Sequence, residues 1–91
     1  MPNTLYRPEH KALVELIREV RLSAGLTQAE VSQKMGLSQS NVSDLERGIR
    51  RLDVIELRDL ANICGTTLSD VATELETRLT KKRSSQASKR P

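Results

Sequence analysis

Polar residues follow a helical spacing between residues 38 and 47 of this 91-residue chain. With Val42 and Leu45 turned toward a core, helical geometry places the polar side chains between them outward or on the flanks. A glutamine can pair with adenine N6 and N7, a serine can bond several base edges, and a carboxylate can accept from cytosine N4. The segment therefore carries the chemistry for reading bases. The candidate base-reading residues are Gln39, Ser40, Ser43 and Asp44.

These residues also admit plainer interpretations. Taken alone, Gln39, Ser40 and Asn41 are an ordinary polar start of a helix. Asp44 can accept from cytosine N4, or it can merely repel phosphate and exclude wrong registers, and the residue itself favours neither role. The residues around this helix must therefore distinguish a base-reading surface from an ordinary solvent-exposed one.

That segment meets the requirements of a helix-turn-helix. Two short helices are joined by only three residues, 36–38, so they must cross steeply. A close crossing needs a small residue where the helices touch, which is Ser32, and a glycine in the turn, which is Gly36. The residues predicted to face the shared core are Val31, Met35, Leu37, Val42 and Leu45. In such a motif the second helix, about residues 38–47 here, presents its polar face to the major groove.

Five helices are predicted in total, and no stretch alternates with the period of a strand. Single glycines at positions 25, 36, 48 and 65 mark helix ends. The starts are marked by one proline and four capping residues: Pro8, Thr27, Ser38, Asp53 and Thr67. A glutamate three residues after Thr27 and after Asp53 completes two capping boxes. We expect an all-α fold with an arm over residues 1–7, a DNA-binding domain over 8–80 and a basic disordered tail over 81–91.

The net charge of +3 is unevenly distributed. Residues 1–77 hold nine Lys or Arg against twelve Asp or Glu, whereas residues 78–91 hold six Lys or Arg and no acid. This basic end is either a non-specific phosphate-binding arm or only a solubilising end. Inside the domain, the candidate phosphate contacts are Arg47, Arg50 and Arg51 after the third helix, or else these form an ordinary solvated cluster. Gln28 is a further candidate, since helix N-termini attract anions.

Three stretches of sequence stand at fixed offsets. They are Leu26-Thr27-Gln28, Met35-Gly36-Leu37-Ser38-Gln39-Ser40 and Ser43-Asp44-Leu45-Glu46-Arg47-Gly48. Together they resemble the lambda-repressor-like helix-turn-helix domains of the XRE group, over about Leu13 to Leu75. Ser32 departs mildly from the family pattern, where alanine is more frequent. The resemblance implies a five-helix lambda-repressor-like domain and a dimeric, sequence-specific binder of double-stranded DNA that acts on transcription.

The resemblance also implies roles for individual residues. It supports Gln28, Asn41 and the loop after the third helix as contacts to the DNA backbone. It further implies that Arg21 and Glu46 pair between the first and third helices and hold the reading helix at its angle. An exposed pair of this kind contributes only about 0–1 kcal/mol.

The size of the domain bears on its assembly. A single module covers about 600–1,000 Å² of interface, which is modest for tight specific binding, so we expect a homodimer reading two half-sites. Leu75 and Leu79 extend the fifth helix beyond a minimal core and are candidates for the dimer contact. The alternative is an antitoxin or adaptor whose main partner is another protein, such as a toxin.

Other classes of protein are disfavoured. Cys64 and His10 are the only residues of their types, which excludes an internal disulfide and a Cys/His zinc cluster. No phosphate-cradling glycine loop and no nucleophile elbow occur, so neither an enzyme nor a cofactor is expected. The longest apolar run spans residues 12–14, too short for a membrane helix. We expect a cytoplasmic protein without a membrane partner.

Overall fold

The computed structural model describes residues 7–87, with side chains through residue 81. This part of the chain forms five helices: α1 (Pro8–Ser23), α2 (Gln28–Met35), α3 (Gln39–Glu46), α4 (Val54–Ile63) and α5 (Leu68–Ala87). It contains no strand, so the predicted all-α fold is confirmed. None of its helices is long and apolar enough to cross a membrane. The predicted arm lies outside the described residues except for Arg7.

The predicted capping residues begin the helices. The Thr27 hydroxyl accepts from the Glu30 backbone N–H at 3.0 Å, and the Glu30 carboxylate accepts from the Thr27 N–H at 2.8 Å. The Asp53–Glu56 capping box at the start of α4 is formed in the same way. These reciprocal bonds satisfy N–H groups that lack a partner inside the helix, and so they fix where α2 and α4 begin.

Two glycines shape the chain on either side of α3. Gly36 ends α2 with a φ of 74°, which allows the Leu37 N–H to reach back to the Ser32 carbonyl at 2.9 Å. Gly48 follows α3 with a φ of 78°, and the next N–H, of Ile49, donates to the Asp44 carbonyl at 2.9 Å. A side chain is strained in this left-handed region, so glycine is the residue that ends a helix this tightly.

The core locks the inner face of α3 against the other helices. Ile17, Val31, Val42 and Leu60 form one buried cluster, with one residue from each of α1 to α4. A second cluster joins α1 and α4 to α5 and comprises Leu16, Ala61 and Val71. The predicted core residues are all found inward, since Val31, Val42 and Leu45 are buried while Met35 and Leu37 are half-buried against the first cluster.

The small residue predicted at the helix crossing is also in place. Ser32 is buried, and its hydroxyl donates to the Ala29 carbonyl at 2.8 Å. The departure from alanine at this position therefore leaves no buried hydroxyl without a hydrogen bond. The close crossing of α2 and α3 is kept.

The prediction of a disordered tail from residue 81 is wrong for residues 81–87, because α5 continues to Ala87. The residue types explain the extension, since lysine, arginine, glutamine and alanine all favour helix. Arg78, counted with the basic end above, is held to the domain by hydrogen bonds to Glu19 at 2.7 Å and Glu74 at 2.9 Å. The remainder of the predicted tail, residues 88–91, lies outside the described residues.

The cap at Thr27 yields a prediction about stability. Changing Thr27→Ala removes the acceptor for the Glu30 N–H, and we expect it to lower the free energy of unfolding by about 1 kcal/mol. Urea denaturation followed by circular dichroism measures the change. Thr73→Ala is the matched control, because Thr73 is exposed within α5 and caps no helix. Equal stabilities for the two variants would contradict the capping role.

Candidate nucleic-acid interface

The outer face of α3 carries the predicted base-reading residues. Gln39 and Ser40 are exposed in the first turn, while Ser43 and Asp44 are half-buried further along. The Ser38 hydroxyl caps the helix by accepting from the Asn41 N–H at 3.2 Å, and it lies 3.1 Å from the Ser40 hydroxyl. The first turn of α3 is therefore ordered by its cap, and it presents an exposed amide and a hydroxyl.

A buried ion pair connects α1 to the end of α3. The Arg21 guanidinium donates from Nε and Nη2 to the two carboxylate oxygens of Glu46, at 2.5 and 2.9 Å, and from Nη1 to the Leu26 carbonyl at 2.9 Å. The side chains of Arg21 and Glu46 are only 9% and 4% exposed. The pairing that the resemblance implied is therefore present. It is buried, however, so the small contribution of an exposed pair does not apply to it.

The protonation of this pair follows from its surroundings. Burial alone would raise the pKa of Glu46, but the hydrogen bonds from Arg21 and Gln28 and the positive charge of Arg21 outweigh burial, and the pKa lies below its usual value. The hydrogen bond to Glu46 correspondingly raises the pKa of Arg21. Both groups are therefore charged at neutral pH.

Gln28 belongs to the same network. Its Nε2 donates to the Glu46 carboxylate at 3.1 Å, and the residue is half-buried at the start of α2. Because a carboxylate only accepts, Glu46 determines which end of the Gln28 amide faces inward. One predicted phosphate contact is thus oriented by the ion pair that holds α3.

The loop after α3 carries the three predicted arginine contacts, and the acidic partners of Arg47 and Arg50 bear on their roles. Arg47 donates to Asp44 at 2.6 Å, and Arg50 donates to Glu56 at 2.9 Å. Glu56 also accepts from the Asp53 N–H in the capping box of α4. Arg50 is therefore tied to the start of α4, a restraint that its sequence position did not reveal.

A set of three exposed apolar residues, one in this loop and two at the start of α4, escaped the sequence prediction, and we call this set the apolar patch. We define it as Ile49, Val54 and Ile55, which are 56%, 59% and 62% exposed. A signal was available, because Ile49 follows Gly48 directly and the Val54-Ile55 pair lies ahead of the buried stripe of α4. The predicted dimer residue Leu75, by contrast, packs against the second core cluster.

Comparison with known proteins agrees with this architecture. The helix-turn-helix family model matches residues 17–71. The "Uncharacterized HTH-type transcriptional regulator y4dJ" of Sinorhizobium fredii is 43% identical over 54 residues, which is 59% of this chain and 70% of that protein.

Two solved structures share the fold. The XRE-family like protein from Pseudomonas syringae pv. tomato is 39% identical with a TM-score of 0.75, over 82% of this chain and 92% of that one. The clp gene regulator ClgR from Corynebacterium glutamicum reaches a TM-score of 0.74 over 92% and 89% of the two chains, at 23% identity. This second likeness concerns the fold alone.

The fold and the outward face of α3 define a helix-turn-helix protein of the DNA-binding class. The matches to the family model and to the XRE-family like protein show the particular family. The chain belongs to the XRE family of helix-turn-helix proteins.

The buried pair yields a prediction about stability and its pH dependence. Glu46→Gln leaves the Arg21 charge buried without a counter-ion, and we expect it to lower the free energy of unfolding by about 3–5 kcal/mol at pH 7. Because the folded-state pKa of Glu46 lies below the unfolded value of 4.5, the carboxylate stabilises the native state fully above that pH and progressively less below it. The gap between wild type and variant should therefore narrow as the pH falls below that value.

Urea unfolding at a series of pH values measures this gap. Gln28→Ala is the matched control, since it removes a neutral donor to the same carboxylate and should lower the free energy of unfolding by only about 1 kcal/mol. A gap that stays constant from neutral to acidic pH would show that the pKa of Glu46 is not lowered.

Proposed function

We propose that this protein is a transcriptional regulator that binds double-stranded DNA sequence-specifically, with α3 in the major groove. The observation that carries the proposal is the two-sided character of α3. Its inner face is locked into the core by Val42 and Leu45, and its exposed first turn presents Gln39 and Ser40. Recognition helices of this motif contact base edges with their N-terminal residues. A role on DNA also implies the cytoplasmic location expected from the sequence.

Base reading is assigned to the start of α3. Gln39 forms a bidentate pair with adenine N6 and N7, and Ser40 and Ser43 add less selective bonds to base edges. Two features support this assignment. Gln39 and Ser40 are exposed, and the cap at Ser38 holds the first turn in place for them.

Backbone contacts are assigned to groups on both sides of that turn. Gln28 keeps a second Nε2 hydrogen for a phosphate oxygen after donating the first to Glu46. Asn41 contributes from the first turn of α3, and Arg47 and Arg51 contribute from the loop after α3. Arg50 is paired with Glu56, so it can bind a phosphate only if its guanidinium contacts both groups or breaks its bond to Glu56. Its pairing with Glu56 therefore lowers the contribution that we expect from Arg50.

The assignment of base reading yields a prediction about specificity. Selection of bound duplexes from a random pool should return a defined motif. Gln39→Ala should lower affinity for that duplex by about 1–3 kcal/mol and relax the preference at one base pair per half-site. Gln33→Ala is the matched control, because Gln33 is exposed in the middle of α2 and makes no predicted DNA contact. If Gln39→Ala returns an unchanged motif, the base-reading face is misassigned.

Loss of a phosphate contact should have a different signature in the same assay. Arg51→Ala should weaken the selected and random duplexes alike and reduce the slope of log affinity against log salt by about 0.9. Arg58→Ala removes the same charge from an exposed position on α4, and it should leave the slope nearly unchanged. Equal slopes for these two variants would remove Arg51 from the interface.

We further propose that the protein acts as a homodimer and that the apolar patch lies at the two-fold contact. Its three residues are large, apolar and more than half exposed, and Ile49 comes three residues after the end of α3. Dimers of this motif place their two recognition helices in successive major grooves on one side of the duplex, and we expect the two-fold axis to lie at this patch. Burial of exposed apolar side chains and the spacing of the two recognition helices both favour a second copy of the chain at this patch.

The dimer yields a prediction about assembly. Ile55→Asp places a charge in the patch but a favourable carboxylate in the first turn of α4, so the domain should still fold. Sedimentation equilibrium should show a dimer for wild type and a monomer for the variant. The matched control, Leu22→Asp, changes an exposed leucine outside the patch and should stay dimeric. A wild-type monomer that binds one asymmetric half-site would contradict the dimer and leave the patch to a different protein, such as a toxin.

A further inference from the structure

Asp44 occupies a position on α3 that separates it from the base-reading turn. It lies five residues after Gln39, which is about 7.5 Å further along the helix axis. Its carbonyl accepts from the N–H groups of Ile49 at 2.9 Å and Arg50 at 3.2 Å. Asp44 is therefore part of the junction between α3 and the loop that carries the arginines.

The carboxylate of Asp44 is directed at the same loop. Its Oδ1 accepts from Arg47 Nη2 at 2.6 Å, and the Asp44 side chain is 32% exposed against 62% for Arg47. Near the C-terminus of a helix a carboxylate is electrostatically unfavourable, and the adjacent guanidinium offsets this. The negative charge of Asp44 is thus paired with Arg47.

A bond to Asp44 restrains the conformation of the Arg47 side chain. Its exposed side chain has many rotamers, and holding one of them loses conformational entropy when a contact forms. The guanidinium presents five donors in a planar fork, and the bond to Asp44 uses only Nη2. The other nitrogens are left to grip a phosphate oxygen while the bond to Asp44 persists.

On the basis of the DNA-binding function proposed above, we infer that Asp44 is a positioning residue that orients Arg47 toward a backbone phosphate and reads no base. This assignment differs from both roles that the sequence allowed. A base-reading Asp44 would accept from cytosine directly, and a repelling Asp44 would act on phosphate without Arg47. A positioning Asp44 acts only through Arg47.

The three roles separate in a double-mutant cycle on the full chain. The variants are Asp44→Ala, Arg47→Gln and their combination, with affinity measured on the duplex selected by the wild type and on random duplex. Arg47→Gln should weaken binding about tenfold in the wild type, as expected for a lost charge-assisted bond. In Asp44→Ala the same change should weaken binding only about threefold, because an unrestrained Arg47 contributes less.

Asp44→Asn provides the test by a conservative change. It keeps an oxygen that accepts from Arg47 while removing the charge, so its coupling to Arg47 should lie between those of aspartate and alanine. Pure repulsion depends on charge alone, so it predicts identical behaviour for Asp44→Asn and Asp44→Ala. Alanine favours helix more than aspartate does, so Asp44→Ala should remain folded.

Each remaining outcome overturns the inference in a distinguishable way. Equal effects of Arg47→Gln in both backgrounds would show that Asp44 acts independently of Arg47. A changed base preference in the motif selected by Asp44→Ala would show that Asp44 reads a base. Both results leave the DNA-binding function standing. Failure of the wild type to select any duplex would instead contradict the proposed function itself.

Discussion

The orientation of α3 depends on one buried ion pair. An eight-residue helix is too short to be stable in isolation, so its direction is set by what it packs against. Its apolar residues fix which side faces the core, but packing alone tolerates sliding and small rotations of a short helix. The bidentate bond between Arg21 and Glu46 adds a directional restraint at the end of α3, because a planar fork accepts a carboxylate in few geometries.

The same pair links α3, the proposed reading helix, to the helix before it. Glu46 accepts from Arg21 and from Gln28, so α1, α2 and α3 meet at one carboxylate. Removing that carboxylate would release the angle of α3 and the amide at the start of α2 together. The position of Gln28, the proposed backbone contact, and the position of the proposed base-reading turn are therefore mechanically coupled through Glu46.

Local signals made most of the fold predictable from the sequence. The helix starts were predictable because Thr27 and Asp53 act on N–H groups only three residues away, and the apolar stripes gave the core. The partners of individual side chains were harder to predict from the sequence. The pairing of Arg50 with Glu56, for example, depends on how a loop folds back onto α4. The resemblance to the family predicted that Arg21 pairs with Glu46, but only the packing of the helices in the structure shows that the pair is buried.

The basic residues near α3 are arranged in ion pairs, and the domain has no excess of positive charge. Residues 1–77 carry more acid than base, and at physiological salt charges act over only about 8 Å, so the domain lacks a long-range attraction for DNA. The arginines near α3 are already engaged, with Arg47 on Asp44 and Arg50 on Glu56. At Arg50 a phosphate must share or displace the Glu56 carboxylate, which weakens the sequence-independent part of binding. Under the function proposed above, discrimination between DNA sequences would therefore depend more on the base contacts of α3 and on the pairing of two copies than on the number of arginines.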